Sequence, residues 1–153
     1  MYETFHIQWH ITDNCNLRCK HCYQNTFSSE KDLPLESLIY IFENISDFLK
    51  QENKKLVIDM TGGEPFLHKN FGELIEYILN SKFLEAIGII TNGFFLDDKF
   101  IYKIEKNMIK LKISSEGFEK NVYEFFRGRN FDRFLEICEK LKRVKTEKYI
   151  MFT

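Results

Sequence analysis

The sequence predicts an α/β protein built on a parallel sheet, with about four and a half strand–helix units in a single domain over residues 1–153. Two observations predict it. Short apolar runs rich in strand formers alternate with longer stretches whose apolar residues recur every three or four positions. Four glycine-rich, polar or cysteine-bearing motifs also each follow a strand directly. In parallel barrels and open sheets alike, the carboxyl edge of the strands is where a site gathers.

Taken in order, Phe5 to Thr12 alternates apolar with polar residues and reads as strand one, with His6 and His10 on its polar side as locally hydrogen-bonded histidines. Asp32-Leu33-Pro34 opens helix one, with the proline in the first turn. Leu35, Leu38, Ile39, Phe42, Ile45 and Leu49 form its apolar stripe. Leu56 to Thr61 is strand two, ending at Gly62-Gly63-Glu64-Pro65. Asn70 and Glu73 have the form of a capping box for helix two, which carries Leu74, Ile75, Ile78 and Leu79. Ala86 to Thr91 is strand three, closed by Asn92-Gly93. That pair would suggest a hairpin, but the helical pattern after it overrides the signal. Helix three starts near Asp97-Asp98 and carries Phe100, Ile101, Ile104 and Met108. Ile109 to Ser114 is strand four, followed by Ser115-Glu116-Gly117. Asn121 to Asn130 is ambiguous between helix and loop. Helix four then carries Phe131, Phe134, Leu135, Cys138 and Leu141, and Tyr149 to Thr153 begins strand five.

The composition is that of an ordinary soluble domain: formal charge −1, 44% hydrophobic and 29% charged residues. Nothing in it points to nucleic acid or an anionic membrane as partner. Sixteen phenylalanines require broad buried surfaces. Met1 to His6 has neither a basic lead nor an apolar signal core, and no run is long enough to span a bilayer, so cytoplasmic residence is the expectation. Thiols held ready for a metal also suit a reducing compartment.

Those thiols lie in Thr12-Asp13-Asn14-Cys15-Asn16-Leu17-Arg18-Cys19-Lys20-His21-Cys22-Tyr23, which holds three of the four cysteines. Three neighbours leave one over after pairing, and a lone nucleophile needs no such company, so a polynuclear metal site is the natural reading. Soft thiolates select zinc, copper(I) or iron–sulfur clusters. Three ligands on a four-iron cube leave one iron open to a substrate. A structural zinc site using His10 or His21 as fourth ligand, and a purely redox cluster, are the competing readings. Cys138 reads as a small buried apolar residue rather than a fourth ligand.

The C-x3-C-x2-C spacing of Cys15, Cys19 and Cys22, with aromatic His21 before the last cysteine, resembles the cluster loop of radical S-adenosylmethionine (radical SAM) enzymes. Bacterial ferredoxins space these cysteines C-x2-C-x2-C. The resemblance covers essentially the whole chain and is nearest to the branch that modifies ribosomally made peptides or matures other enzymes. It implies an incomplete parallel (βα) partial barrel of TIM-like type. It also implies a 4Fe–4S cluster on the three cysteines, S-adenosylmethionine chelated to the unique iron, and a 5′-deoxyadenosyl radical that abstracts hydrogen from a substrate. Gly62-Gly63-Glu64-Pro65 matches the family's GGEP motif, whose backbone, with Glu64, would engage the methionyl amino group. His21 takes the position near the adenine. Ser114 would bind the methionyl carboxylate or ribose, and Arg127 would pair with that carboxylate, the bland alternative being a solvated loop charge. A flavodoxin- or ferredoxin-type electron donor and a peptide or protein substrate are the implied partners.

The chain departs from that branch in three ways. Glu116 stands where aspartate is more usual, a Gly-x-Ile-x-Gly segment in strand five is missing, and no second cysteine-rich region follows. A full eight-stranded barrel takes about 250 residues. The expectation is therefore the amino-terminal part of a core domain whose later strands come from elsewhere, such as a second chain. A non-catalytic iron–sulfur or zinc protein and a truncated binding scaffold are the alternative outcomes.

Overall fold

The computed structural model describes residues 3–152. Five strands, β1 (Glu3–His10), β2 (Lys54–Thr61), β3 (Leu84–Thr91), β4 (Lys110–Ser114) and β5 (Lys148–Met151), form one sheet in the order 1-2-3-4-5. Every neighbouring pair is parallel. Between them run α1 (Leu35–Gln51), α2 (Phe71–Leu79), α3 (Asp98–Lys106), α4 (Lys120–Arg127) and α5 (Phe131–Leu141). A doubly wound sheet reverses strand order at a switch point; an unreversed order with crossovers of one hand is the wall of a barrel. The partial-barrel expectation holds, and no hairpin forms at Asn92-Gly93.

Strand periodicity sorts side chains onto two unlike faces. Leu56, Ile58 and Met60 of β2, Ile87 and Ile89 of β3, and Leu111 and Ile113 of β4 are buried in one core cluster with Leu38, Phe42 and Leu49 of α1 and Leu74, Ile75 and Ile78 of α2. The opposite face is open and mixed in character. His6, Asp59, Lys110, Lys112 and Tyr149 line a cavity of about 490 Å³ there together with apolar residues such as Val57, Ala86 and Met151. His6 Nε2 donates to Asp59 Oδ2 at 2.8 Å and Lys112 Nζ donates to the same oxygen, so one carboxylate ties β1, β2 and β4 across the sheet. Asp59 carried no signal in the sequence beyond alternation.

Several element ends differ from expectation. Pro34 sits at the N-cap of α1 with φ −66° and ψ 158°, so its ring precedes the helix instead of filling the first turn. Asn70 caps α2 without a side-chain bond to the backbone; its amide donates to Glu73 Oε2 at 2.7 Å, so the capping box is replaced by a side-chain pair. Asp97 does cap α3, accepting from Phe100 N. Met108 lies past the end of α3 at φ 53° and is exposed, because the chain must turn there to enter β4. The ambiguous 121–130 stretch is helical through Arg127 and stops at Gly128, whose φ of 82° suits glycine at a helix end. On α5 the buried face runs Phe131, Phe134, Ile137 and Leu141. Leu135 is 40% exposed, one position off the stripe. β5 pairs with β4 alone, and Tyr149, Ile150 and Phe152 are exposed at that edge; Thr153 lies outside the described residues.

On the buried face of α1, Ser46 Oγ has no hydrogen-bond partner among the described residues. Ser46→Ala removes that orphan and raises helix propensity, so a stabilisation of about 0.5–1.5 kcal/mol is expected in denaturant titration. An unchanged or lowered midpoint would mean that the hydroxyl is satisfied in solution.

Candidate cofactor site

The cysteine loop is sewn to the loop after β2 by backbone alone. Ile11 N donates to Thr61 O at 3.0 Å, Gly63 N to Thr12 O at 2.7 Å and Glu64 N to Asn14 O at 2.8 Å, so the ladder between β1 and β2 continues into both loops. The paired glycines exist for this approach. A Cβ on Gly62 would lie 2.6 Å from Thr12 O, and one on Gly63 would lie 2.5 Å from Asn14 O. The group that approaches the glycines so closely is thus the chain's own cysteine loop. Further along, Cys22 N donates to Cys19 O at 3.0 Å, and Lys20 N reaches Phe126 O on α4 at 2.8 Å. Arg18 Nη1 donates to Cys15 O and Leu17 O, and its guanidinium lies over the Phe27 ring.

Cys15, Cys19 and Cys22 are free, half-buried, and line one cavity of about 240 Å³ with Gly62, Gly63, Thr91, Asn92, Ser114, His21 and Arg127. Burial pushes the Cys15 and Cys19 thiols above their ordinary value. That is the opposite of an activated nucleophile, and coordination to a cation is what deprotonates such thiols. Among the described residues no three His, Cys, Asp or Glu side chains are grouped to hold a single ion. His10 is also committed: its Nδ1 bonds Tyr23 OH at 3.1 Å and its Nε2 bonds Asp13 Oδ1 at 2.9 Å. Three soft donors around a roomy cavity fit a polynuclear group better than tetrahedral zinc. Cys138 is on α5, packed against the core.

Glu64 is fully buried and does not line the cavity. It accepts from Thr91 Oγ1 at 2.7 Å and from Asn92 N at 2.9 Å, fastening the turn after β3 to the loop after β2. Asn92 in turn donates from Nδ2 to Asn16 Oδ1 at 2.8 Å, a tie to the cysteine loop that no sequence pattern announced. Burial raises the Glu64 carboxyl to about 7 against these hydrogen bonds. The folded chain therefore holds a proton that the unfolded chain releases above about pH 4.5, and stability contributed by this group is lost as pH rises from there through about 7. The wild-type chain should lose more stability than Glu64→Gln between pH 5 and pH 8. Parallel pH profiles for the two would show that Glu64 titrates normally.

Ser114, the last residue of β4, is half-buried and lines the cavity, whereas Ser115 is fully buried and closes its own turn on Gly117. Arg127 is no solvated charge: its side chain is 6% exposed and forms a forked pair with Glu116, Nε to Oε2 and Nη2 to Oε1 at 2.7 Å. His21 Nε2 lies 3.1 Å from the same Oε1, and its ring meets Phe126 edge-on at 5.4 Å. Cys15, Cys19, Cys22, His21, Gly62, Gly63, Ser114 and Arg127 therefore meet around one cavity at an edge of the sheet, with Glu64 and Glu116 behind its wall.

Sheet order and edge together define a (βα)-barrel-type domain with a cysteine-lined cavity at the carboxyl ends of its strands. The Radical SAM superfamily profile matches residues 9–153, and the chain belongs to that superfamily. Over 139 residues it is 32% identical to the antilisterial bacteriocin subtilosin biosynthesis protein AlbA of Bacillus subtilis (strain 168), covering 90% of this chain and 30% of AlbA. It is 30% identical over 142 residues to the GTP 3′,8-cyclase of Limosilactobacillus fermentum, covering 88% of this chain and 41% of the cyclase. The solved structure of native anSMEcpe with bound AdoMet and the Kp18Cys peptide superposes with a TM-score of 0.77 at 23% identity, over 96% of this chain and 42% of that one. The chain spans between 30% and 42% of the length of these relatives.

Proposed function

We propose that the chain is the cofactor-binding portion of a radical SAM enzyme, the amino-terminal part of its core domain, acting on a peptide or protein substrate. The observation that carries this reading is the meeting of three free thiols with Gly62, Gly63, Ser114 and Arg127 around one cavity at the strand ends. Cys15, Cys19 and Cys22 would hold a 4Fe–4S cluster. The Gly62-Gly63 backbone would meet the amino group of S-adenosylmethionine, with Glu64 fixing that backbone from behind, and His21 would lie beside the adenine. Ser114 and Arg127 would receive the carboxylate or ribose; charge-assisted bonds from a guanidinium suit a carboxylate. When bound and reduced by a flavodoxin- or ferredoxin-type donor, the cluster supplies one electron that cleaves S-adenosylmethionine to methionine and a 5′-deoxyadenosyl radical.

A peptide substrate is favoured by the similarity to AlbA and to the peptide-bound neighbour, and the similarity to GTP 3′,8-cyclases keeps a nucleotide as the second candidate. The open face bearing His6, Asp59 and Lys112 would form part of the substrate chamber, with the remaining wall supplied by further segments or a second chain. Anaerobic reconstitution with iron and sulfide tests the reading: four irons per chain are expected, with spectra perturbed by S-adenosylmethionine. Tight zinc with no response to that molecule would support a structural metal protein instead, and iron with no response an electron carrier.

A further inference from the structure

We propose that Glu116 is a positioning residue: its one buried carboxylate locks the cysteine loop, through His21, to Arg127, and holds Arg127 by one edge so that the other edge can receive an anion. The inference rests on the radical SAM reading for the identity of that anion, the methionyl carboxylate.

The energetics set this pair apart from the surface ion pairs of the chain. Glu116 and Arg127 side chains are 4% and 6% exposed. Burying two charges is costly unless geometry is good and the remaining donors and acceptors find partners. Both Glu116 oxygens are engaged, Oε2 by Arg127 Nε and Oε1 by Nη2. Oε1 also lies within reach of His21 Nε2. His21 stands between Cys19 and Cys22, Glu116 follows β4, and Arg127 ends α4, so three separate segments meet at one carboxylate. A second tie runs parallel to it, from Lys20 N to Phe126 O.

The guanidinium is used unevenly. Glu116 takes the Nε and Nη2 edge, while Nη1 donates to no described residue, and Arg127 lines the cofactor cavity. A planar fork recognises a carboxylate well when its own orientation is already set, because less freedom is lost on binding. A staple for α4 alone would need neither the shared oxygen at His21 nor a place in the cavity wall.

The test compares wild type with Glu116→Gln, Glu116→Asp, Arg127→Gln and the Glu116→Gln/Arg127→Gln double variant. Hydrogen exchange across residues 15–22 of the metal-free chain reads the lock without any cofactor, and faster exchange is expected in Glu116→Gln. After reconstitution, Glu116→Gln should keep its four irons and bind S-adenosylmethionine about 10- to 100-fold more weakly, the range typical of residues that orient a ligand. Glu116→Asp, which keeps the charge, should recover part of that loss, and the double variant should be no worse than Arg127→Gln alone. Unchanged exchange overturns the lock. Affinity within twofold of wild type, or losses that add in the double variant, overturns the positioning of Arg127. If iron-loaded wild type ignores S-adenosylmethionine, the cofactor reading fails and the positioning of Arg127 for its carboxylate is overturned with it, while the exchange measurement still decides the lock.

Discussion

Gly63→Ala should leave the chain folded but unable to retain iron, with metal content after anaerobic reconstitution near that of a metal-free control. The added Cβ would lie 2.5 Å from Asn14 O and 2.8 Å from both Asn14 C and Asp13 O. All three are backbone atoms, so no side chain can swing aside. Either the cysteine loop moves away or the bonds from Gly63 N to Thr12 O and Glu64 N to Asn14 O are lost. Overpacking of this kind costs about 1–3 kcal/mol, and each lost backbone bond adds about 1 kcal/mol. The helix cores do not touch this contact, so the loss falls on loop placement. Gly72→Ala is the matched control: a Cβ there meets nothing within 4 Å, and Gly72 is in α2, so a gain of about 1 kcal/mol is expected. Wild-type iron content in Gly63→Ala would mean that the two loops do not approach as described.

Cys19→Ala should abolish both the four-iron complement and the release of 5′-deoxyadenosine on reduction. Cys19 sits in the middle of the three thiols in sequence, and its loop is held from both sides, by the loop after β2 and by α4. The loop therefore cannot slide to bring another ligand into place. Cys138→Ala should leave iron unchanged, since Cys138 packs against the core from α5, and should cost only about 1 kcal/mol of stability. If the cavity needs wall segments beyond this chain for turnover, wild type releases no 5′-deoxyadenosine either. Iron content and the spectral response to S-adenosylmethionine then remain the deciding measurements. A Cys19→Ala chain with four irons and an unaltered response would refute the assignment of the loop.

The elements legible in the sequence were those whose apolar pattern is long enough to commit to one period. α1 and β3 are such cases, with Leu38, Phe42 and Leu49 buried on one stripe and Ile87 and Ile89 in the core. Misreadings cluster where a local pattern competes with a tertiary turn. Met108 continues the apolar spacing of α3, yet the route into β4 needs a left-handed residue there. Leu135 is apolar and close to the stripe, but Ile137 better matches the buried face of α5. Asn70 and Glu73 have capping spacing, but the Asn70 amide is turned toward the Glu73 carboxylate.

By itself, the sequence determined the strand–helix alternation, the cysteine spacing and the placement of each motif after a strand, because these are properties of neighbours along the chain. Which partner each buried polar group would take was decided only by the tertiary structure. Glu64 became the anchor of Thr91 and Asn92, Glu116 the acceptor of Arg127 with His21 beside it, and Asp59 the bridge between His6 and Lys112. A buried carboxylate must find donors wherever the fold brings them, and the partners named here lie from 11 to 95 residues away in sequence, outside any local pattern.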